Sequence, residues 1–287
     1  MPPRCPHVAC ALVAVACAAA IPGCGYLLRS PGRPTPAIHY RAHAERRADC
    51  LLVLIPGFLD APDEFARRGV VEDLHRVAPG CDLVAIETHL NDYRDESIVP
   101  RVHEDIVLEA RDRGYRTIWL VGISMGAIGA ILTAREHPSD VDGLVLISPF
   151  LGTAGFAQRL EREVADAGGV SAWARRPPGS RERISRVLHD PRPIWRWLAG
   201  YRTGEPRPPL WVGYGRDDRF APAQALLTDV IAPEHGFVIE GRHDWATWRR
   251  LCQDVFADLP VDDGGGPAEP AFHPRRALAW RAHDDAW

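Results

Sequence analysis

The chain has 287 residues, of which 46% are hydrophobic and 25% charged, as in ordinary globular proteins. Its net charge of −4 argues against nucleic-acid binding by the chain as a whole, because that function usually needs an excess of basic residues. All 34 residues counted as lysine or arginine are arginine, so a lysine Schiff base, covalent pyridoxal phosphate and a P-loop lysine are excluded.

The first 23 residues have the features of a signal peptide. They contain one charged residue, Arg4, followed by about fourteen mostly apolar residues, a length typical of a signal-peptide core. Residues 21–24 (IPGC) resemble the lipobox of bacterial lipoproteins, with proline in place of the usual small residue at position 22. We therefore expect export and lipidation at Cys24, with ordinary cleavage or a retained leader as the alternatives.

Lipidation would make residues 24–45 a tether between a membrane and the folded domain. Acyl chains on the new N-terminus would give stable anchoring. The expected location is therefore the periplasmic or cell-surface side of a bacterial membrane.

Apolar runs that alternate with helical stretches predict an α/β fold. Continuous apolar runs are typical of parallel strands that are buried on both faces. In chain order they lie at residues 51–55, 82–87, 117–121, 143–147, 210–212 and 237–239. The helical stretches lie between or after them, at residues 63–77, 98–113, 125–136, 222–231 and 244–256. This alternation implies right-handed crossovers and a mostly parallel sheet with helices on both faces.

The alternation stops at residues 151–208, which contain no apolar strand and are rich in arginine, proline and tryptophan. We interpret this segment as an inserted lid. It holds 11 arginines and 6 acidic residues, a net charge of 11 − 6 = +5. That charge either draws acidic substrates or lipid head groups to a site or belongs to a solvated helical surface. Residues 260–287, with a glycine run and scattered charges, predict a weakly structured tail.

The sequence GISMG at residues 122–126 lies between a predicted strand and a predicted helix. A serine nucleophile on a sharp turn needs this context, and glycines two residues to either side let the neighbouring backbones approach closely. We therefore predict that Ser124 is a catalytic nucleophile.

These features resemble the α/β-hydrolase superfamily, and the resemblance covers most of residues 46–259. In that family the acid of the triad follows a later strand and the histidine follows the last one. The family's spacing of glycine, aspartate and proline selects Asp218, with Asp217 as the alternative. His243 follows the last predicted strand and is the implied base, which Asp218 would orient.

The resemblance also implies two backbone N–H groups that stabilise an oxyanion. One belongs to Met125, the residue after the serine. The other belongs to Phe58, because Pro56-Gly57-Phe58 is similar to the family's His-Gly-Phe loop with proline in place of histidine. Loss of that histidine does not remove the N–H of Phe58.

Cys50 and Cys81 precede two strands that would be parallel neighbours in the sheet of this family. Adjacent strands are about 4.8 Å apart, and a disulfide accepts Cα separations of roughly 4.4 to 6.8 Å. A disulfide between them is therefore possible after export, and the alternative is two small buried side chains that do not meet. Cys252 would remain a free thiol.

The predicted function is that of a serine hydrolase that cleaves small-molecule or lipid carboxylic esters through an acyl-enzyme intermediate. Thioesterase, amidase and acyltransferase activities use the same triad and stay open. The alternative function is a non-catalytic exported lipoprotein that uses the fold as a binding module. We expect no cofactor and no metal site, because His39 and His43 have the spacing of a helical zinc pair but no third ligand and no clear helix.

Overall fold

A computed structural model of the protein describes residues 32–45, 48–179 and 187–259. Seven strands of these residues form one sheet in the order β1-β3-β2-β4-β5-β6-β7. The strands are Ala37–Tyr40 (β1), Cys50–Ile55 (β2), Cys81–Ile86 (β3), Thr117–Ile123 (β4), Gly143–Ile147 (β5), Leu210–Gly215 (β6) and Gly236–Ile239 (β7). Only β1 is antiparallel to its neighbour, β3; all other pairs in this sheet are parallel.

Helices fill the connections between the strands. The α-helices are Glu64–Arg67 (α1), Val70–Val77 (α2), Leu90–Arg94 (α3), Ile98–Val102 (α4), Glu109–Asp112 (α5), Gly126–Glu136 (α6), Ala154–Ala167 (α7), Val170–Arg175 (α8), Arg192–Thr203 (α9), Ala221–Ala225 (α10) and Trp245–Asp258 (α11). A π-helical segment, His103–Leu108, joins α4 to α5, and short 3₁₀ segments lie at Leu226–Asp229 and Pro233–His235.

Helices cover both faces of the sheet, because its central strands bury both sets of alternating side chains. On β2, Val53 and Ile55 pack in one core cluster with residues of α4 and α6. Leu52 and Leu54 point the other way and pack with residues of α2 and α11. A strand buried on both faces has no polar side, which explains its continuous apolar sequence. The predicted α/β fold with a mostly parallel sheet is confirmed.

Several local features differ from the predicted elements. Residues 37–40, which we assigned to the tether, form the edge strand β1, whose four residues are too short to show a clear pattern. The helix predicted at 63–77 is broken at Gly69, where φ is +76°, a value that glycine adopts without strain. The helix predicted at 98–113 is present but contains the π-helical segment.

The insertion between β5 and β6 is helical where it is described. Its helices α7, α8 and α9 contribute Phe156, Trp173 and Trp195 to the same core cluster as α6. Apolar side chains therefore anchor these helices on one face of the sheet. Whether they act as a lid stays a prediction.

The predicted signal peptide, the lipidation site Cys24 and the predicted tail at 260–287 lie outside the described residues. In the part of the chain that is described, no helix is long and apolar enough to cross a membrane.

A disulfide joins Cys50 to Cys81 across the neighbouring strands β2 and β3. The two residues are direct partners in the parallel register, and their Cα atoms are 4.4 Å apart. Both lie at the amino ends of their strands, on the edge of the sheet opposite to its carboxyl ends. Cys252 is buried and free, and burial raises the pKa of its thiol to about 12.

Reduction of this disulfide is expected to destabilise the domain. The bond closes a loop with a sequence separation of 31 residues. The chain-entropy relation assigns such a loop about 3 to 4 kcal/mol of unfolding free energy. Urea unfolding with and without reductant measures the loss, and Cys252→Ser, which keeps the bond, is the control. Alkylation of Cys50 and Cys81 in the unfolded, unreduced protein would contradict the bond.

Candidate active site

Ser124 lies in a strained turn between β4 and α6. Its φ is +52°, a left-handed conformation that costs energy for a residue with a side chain. A Cβ on Gly126 would lie 2.1 Å from the carbonyl oxygen of Ile55, and one on Gly122 would lie 2.6 Å from the backbone of Ala127. Positions 122 and 126 of the GISMG sequence therefore need glycine, because backbone atoms of other residues lie too close for a side chain.

A chain of hydrogen bonds connects Asp218, His243 and Ser124. The Ser124 Oγ lies 2.9 Å from His243 Nε2, and His243 Nδ1 lies 2.8 Å from Asp218 Oδ2. The three residues follow β4, β6 and β7, and parallel strands place their carboxyl ends on one edge of the sheet. In this arrangement the imidazole can accept the hydroxyl proton while the carboxylate holds the ring.

The Asp218 carboxylate is buried but well supplied with hydrogen bonds. Burial by itself would raise its pKa, but hydrogen bonds from His243 and from the backbone N–H of Phe220 outweigh burial and hold the pKa below its usual range. Asp218 therefore remains ionised at neutral pH. The neighbouring Asp217 is exposed, so the structure places Asp218 and not Asp217 against the histidine.

The backbone N–H groups of Phe58 and Met125 flank the serine. Met125 directly follows Ser124, and the Phe58 loop is close as well, since a Cβ on Gly57 would lie 3.4 Å from Ser124 Cβ. Within the described chain, neither N–H donates a hydrogen bond to a protein acceptor. Two free donors beside Ser124 can bind a developing oxyanion.

A cleft of about 480 Å³ opens beside Ser124 and His243. Aromatic side chains form much of its wall, namely Phe58, Trp245 and Trp248. Two arginines and two aspartates also line it, namely Arg68, Arg219, Asp60 and Asp244. The formal charges of these four residues balance, so the lining of the cleft has no strong net charge of either sign. Its lining residues lie outside the insertion at 151–208.

Asp60 is a residue of the cleft that sequence reasoning missed. Its Oδ1 accepts a hydrogen bond of 3.1 Å from Trp245 Nε1, although the two residues are 185 positions apart. Burial raises the pKa of its carboxyl. The contact joins the Phe58 loop to the first residue of α11, just after His243. No sequence signal identifies this contact, because it depends on the packing of a loop against the start of a distant helix.

Comparison with known proteins identifies the family of the chain. The profile of the Hydrolase_4 family, described as serine aminopeptidase S33, matches residues 101–263, a segment that contains Ser124, Asp218 and His243. No curated protein sequence matches the chain.

Solved structures share the fold at low sequence identity. A ferulic acid esterase is 15% identical, with a TM-score of 0.50, over 74% of this chain and 85% of the esterase chain. FphF of Staphylococcus aureus, a fluorophosphonate-binding serine hydrolase solved with bound substrate, is 13% identical, with a TM-score of 0.50, over 78% of this chain and 97% of its own. The family profile covers more than half of the 287 residues. The chain therefore belongs to the Hydrolase_4 (serine aminopeptidase, S33) family and is a serine hydrolase with the α/β-hydrolase fold.

Proposed function

We propose that this serine hydrolase cleaves carboxylic esters through an acyl-enzyme intermediate, with Ser124 as nucleophile, His243 as general base and Asp218 as the orienting acid. The observation that supports this proposal is the chain of hydrogen bonds from Asp218 through His243 to Ser124. Each bond has a length suited to proton transfer or to holding one tautomer of the ring.

The reaction begins when Ser124 Oγ attacks the ester carbonyl carbon and His243 Nε2 accepts the hydroxyl proton. The carbonyl oxygen becomes an oxyanion, which the N–H groups of Phe58 and Met125 stabilise; such a donor typically contributes about 3 to 4 kcal/mol. The bond to the leaving alcohol then breaks, and His243 gives that oxygen its proton. The acyl group remains on Ser124.

Water completes the cycle by attacking the acyl carbon. His243 accepts a proton from this water, the bond to Ser124 Oγ breaks, and the proton returns to Ser124 as the carboxylic acid leaves. Asp218 stays ionised throughout, because its hydrogen bonds favour the carboxylate. Thioesters, amides or an acyl acceptor other than water would follow the same steps.

The aromatic wall of the cleft supports an apolar acyl or alcohol group in the substrate, from a small molecule or a lipid. The proposal includes export and membrane anchoring through a lipid on Cys24. That part rests on the sequence of residues 1–24 alone.

Labelling by a fluorophosphonate probe tests the proposed function. The probe phosphonylates an activated serine, so we expect one label per chain, on Ser124, and none in Ser124→Ala. A folded wild-type protein that takes no label would instead support the non-catalytic binding module. A series of p-nitrophenyl esters of rising chain length then defines the acyl preference.

A further inference from the structure

Three side chains of metal-binding type meet on the side of the molecule away from the cleft. They are His103, His137 and Asp140, called here the His-His-Asp cluster, and one ligand atom from each lies within 4.8 Å of the others. His103 begins the π-helical segment, His137 follows the end of α6, and Asp140 lies in the loop before β5. Single π turns inside α-helices often occur at functional sites.

The contacts inside the cluster are close. His103 Nε2 lies 2.8 Å from Asp140 Oδ2. The rings of His103 and His137 are stacked, with their centroids 3.4 Å apart and an angle of 2° between their planes. Among the described residues, the His137 ring nitrogens have no hydrogen-bond partner. The hydrogen bond between His103 and Asp140 does not involve His137. That bond therefore does not explain why a second imidazole lies against the first.

The surroundings of the cluster favour a cation. The last carbonyl groups of α6 carry partial negative charge, and His137 directly follows that helix. Asp140 adds a carboxylate. The nearby Arg111 does not form an ion pair with this carboxylate; its guanidinium donates to the backbone oxygen of Asp140, at 3.1 Å, and to the carboxylate of Asp142.

We propose that His103, His137 and Asp140 bind one divalent transition-metal ion, with Zn²⁺ as the preferred ion. Two imidazole nitrogens and one carboxylate oxygen suit zinc, whereas Ca²⁺ and Mg²⁺ prefer oxygen ligands throughout. Water would fill the fourth position of a tetrahedral site.

Binding requires a small rearrangement of the side chains. Ligand atoms around tetrahedral zinc are about 3.4 Å apart, for bonds of about 2.1 Å. The parallel rings must tilt so that both lone pairs meet the ion, and rotation about χ2 of histidine is soft. The ion replaces the hydrogen bond between His103 and Asp140. Asp140 can move and admit the ion, since 36% of its side chain is exposed and it lies on a loop.

The ion would join two parts of the fold that support the nucleophile. His103 belongs to the helical segment after α4, and His137 ends α6, the helix whose first turn follows Ser124. The 11 residues of α6 span roughly 16 Å, at about 1.5 Å per residue, so the ion is too far from Ser124 to take part in chemistry. Its effect is on stability, and it can be measured independently of catalysis.

Calorimetric titration with zinc sulfate tests the site. The sample is the purified full chain, without a polyhistidine tag and freed of metal with chelator. We expect wild type to bind one equivalent more than His137→Gln, with micromolar or tighter affinity. Asp140→Asn should weaken that binding at least about tenfold, since it removes a direct ligand and loss of an outer-shell partner alone typically costs about 10- to 100-fold in metal affinity. His189→Gln, which changes an exposed histidine outside the cluster, should bind like wild type.

Two further measurements test whether the zinc binds at the His-His-Asp cluster. At the same zinc concentration, the unfolding temperature of wild type and of His189→Gln should rise more than that of His137→Gln or Asp140→Asn, and circular dichroism checks that each variant is folded. Cobalt should give the visible absorption of a tetrahedral site in wild type and in His189→Gln but not in His137→Gln or Asp140→Asn. Equal zinc stoichiometry and affinity in wild type and both cluster variants, or tighter binding of Ca²⁺ than of Zn²⁺, would overturn the proposal.

Discussion

Replacing Ser124 by alanine is expected to lower ester turnover by a factor on the order of 10⁶, because it removes the attacking oxygen. His243→Ala should be nearly as severe, since Ser124 Oγ then has no base within the 2.9 Å that now separates it from Nε2. The double variant should be little worse than either single variant, because the two side chains act in the same step. Rates of hydrolysis of a chromogenic ester measure all three.

The fold should survive these substitutions. Ser124 keeps its place through backbone contacts, including the bond of 2.9 Å from its N–H to the oxygen of Ile147, and alanine retains that N–H. Circular dichroism and the unfolding temperature provide the control. Losses that add up in the double variant would argue that the two residues act in separate steps.

Asp218→Asn is expected to lower kcat by about 10⁴, while Asp217→Asn should change it little. An amide at position 218 has nearly the same shape but cannot offer a charged acceptor to His243 Nδ1, which lies 2.8 Å from Oδ2. The ring can then adopt the wrong tautomer, and the imidazolium formed during attack loses its counter-charge. Asp217 is exposed and does not contact the ring.

Steady-state kinetics of the two variants, at the same pH and with the same ester, measure the difference. Asp217→Asn is a matched control, because it makes the same chemical change one residue away. A larger loss in Asp217→Asn than in Asp218→Asn would transfer the role of the acid to Asp217.

The sheet and the turn that carries Ser124 could be predicted because their signals are local. A parallel strand buried on both faces is an uninterrupted apolar run, so β2, β4 and β5 are visible in the sequence. The two glycines that flank Ser124 lie within one short stretch between a strand and a helix, so their pattern is visible in the sequence, although the backbone that Gly126 must accommodate belongs to Ile55 at the end of β2. The edge strand β1 was missed because its four residues become a strand through pairing with β3.

The resemblance to the α/β-hydrolase superfamily also implied Asp218, His243, Phe58 and Met125, and these residues lie together around Ser124 in the structure. The sequence left Asp217 as an alternative to Asp218. Adjacent residues point in different directions, and only the packed loop shows which of the two faces His243. The contact between Cys50 and Cys81 likewise depended on strand register, which no local pattern specifies.

The sequence by itself therefore determined the α/β fold and indicated the turn that carries Ser124, since strand burial and the glycine-flanked turn leave short-range patterns. Only the tertiary structure revealed the contact between Asp60 and Trp245 and the His-His-Asp cluster. The partners in these contacts are 185 positions apart in the first case, and 37 apart for His103 and Asp140 in the second. Such side chains meet because helices and loops pack on a common sheet, and that packing leaves no periodic signal in the residues that it brings together.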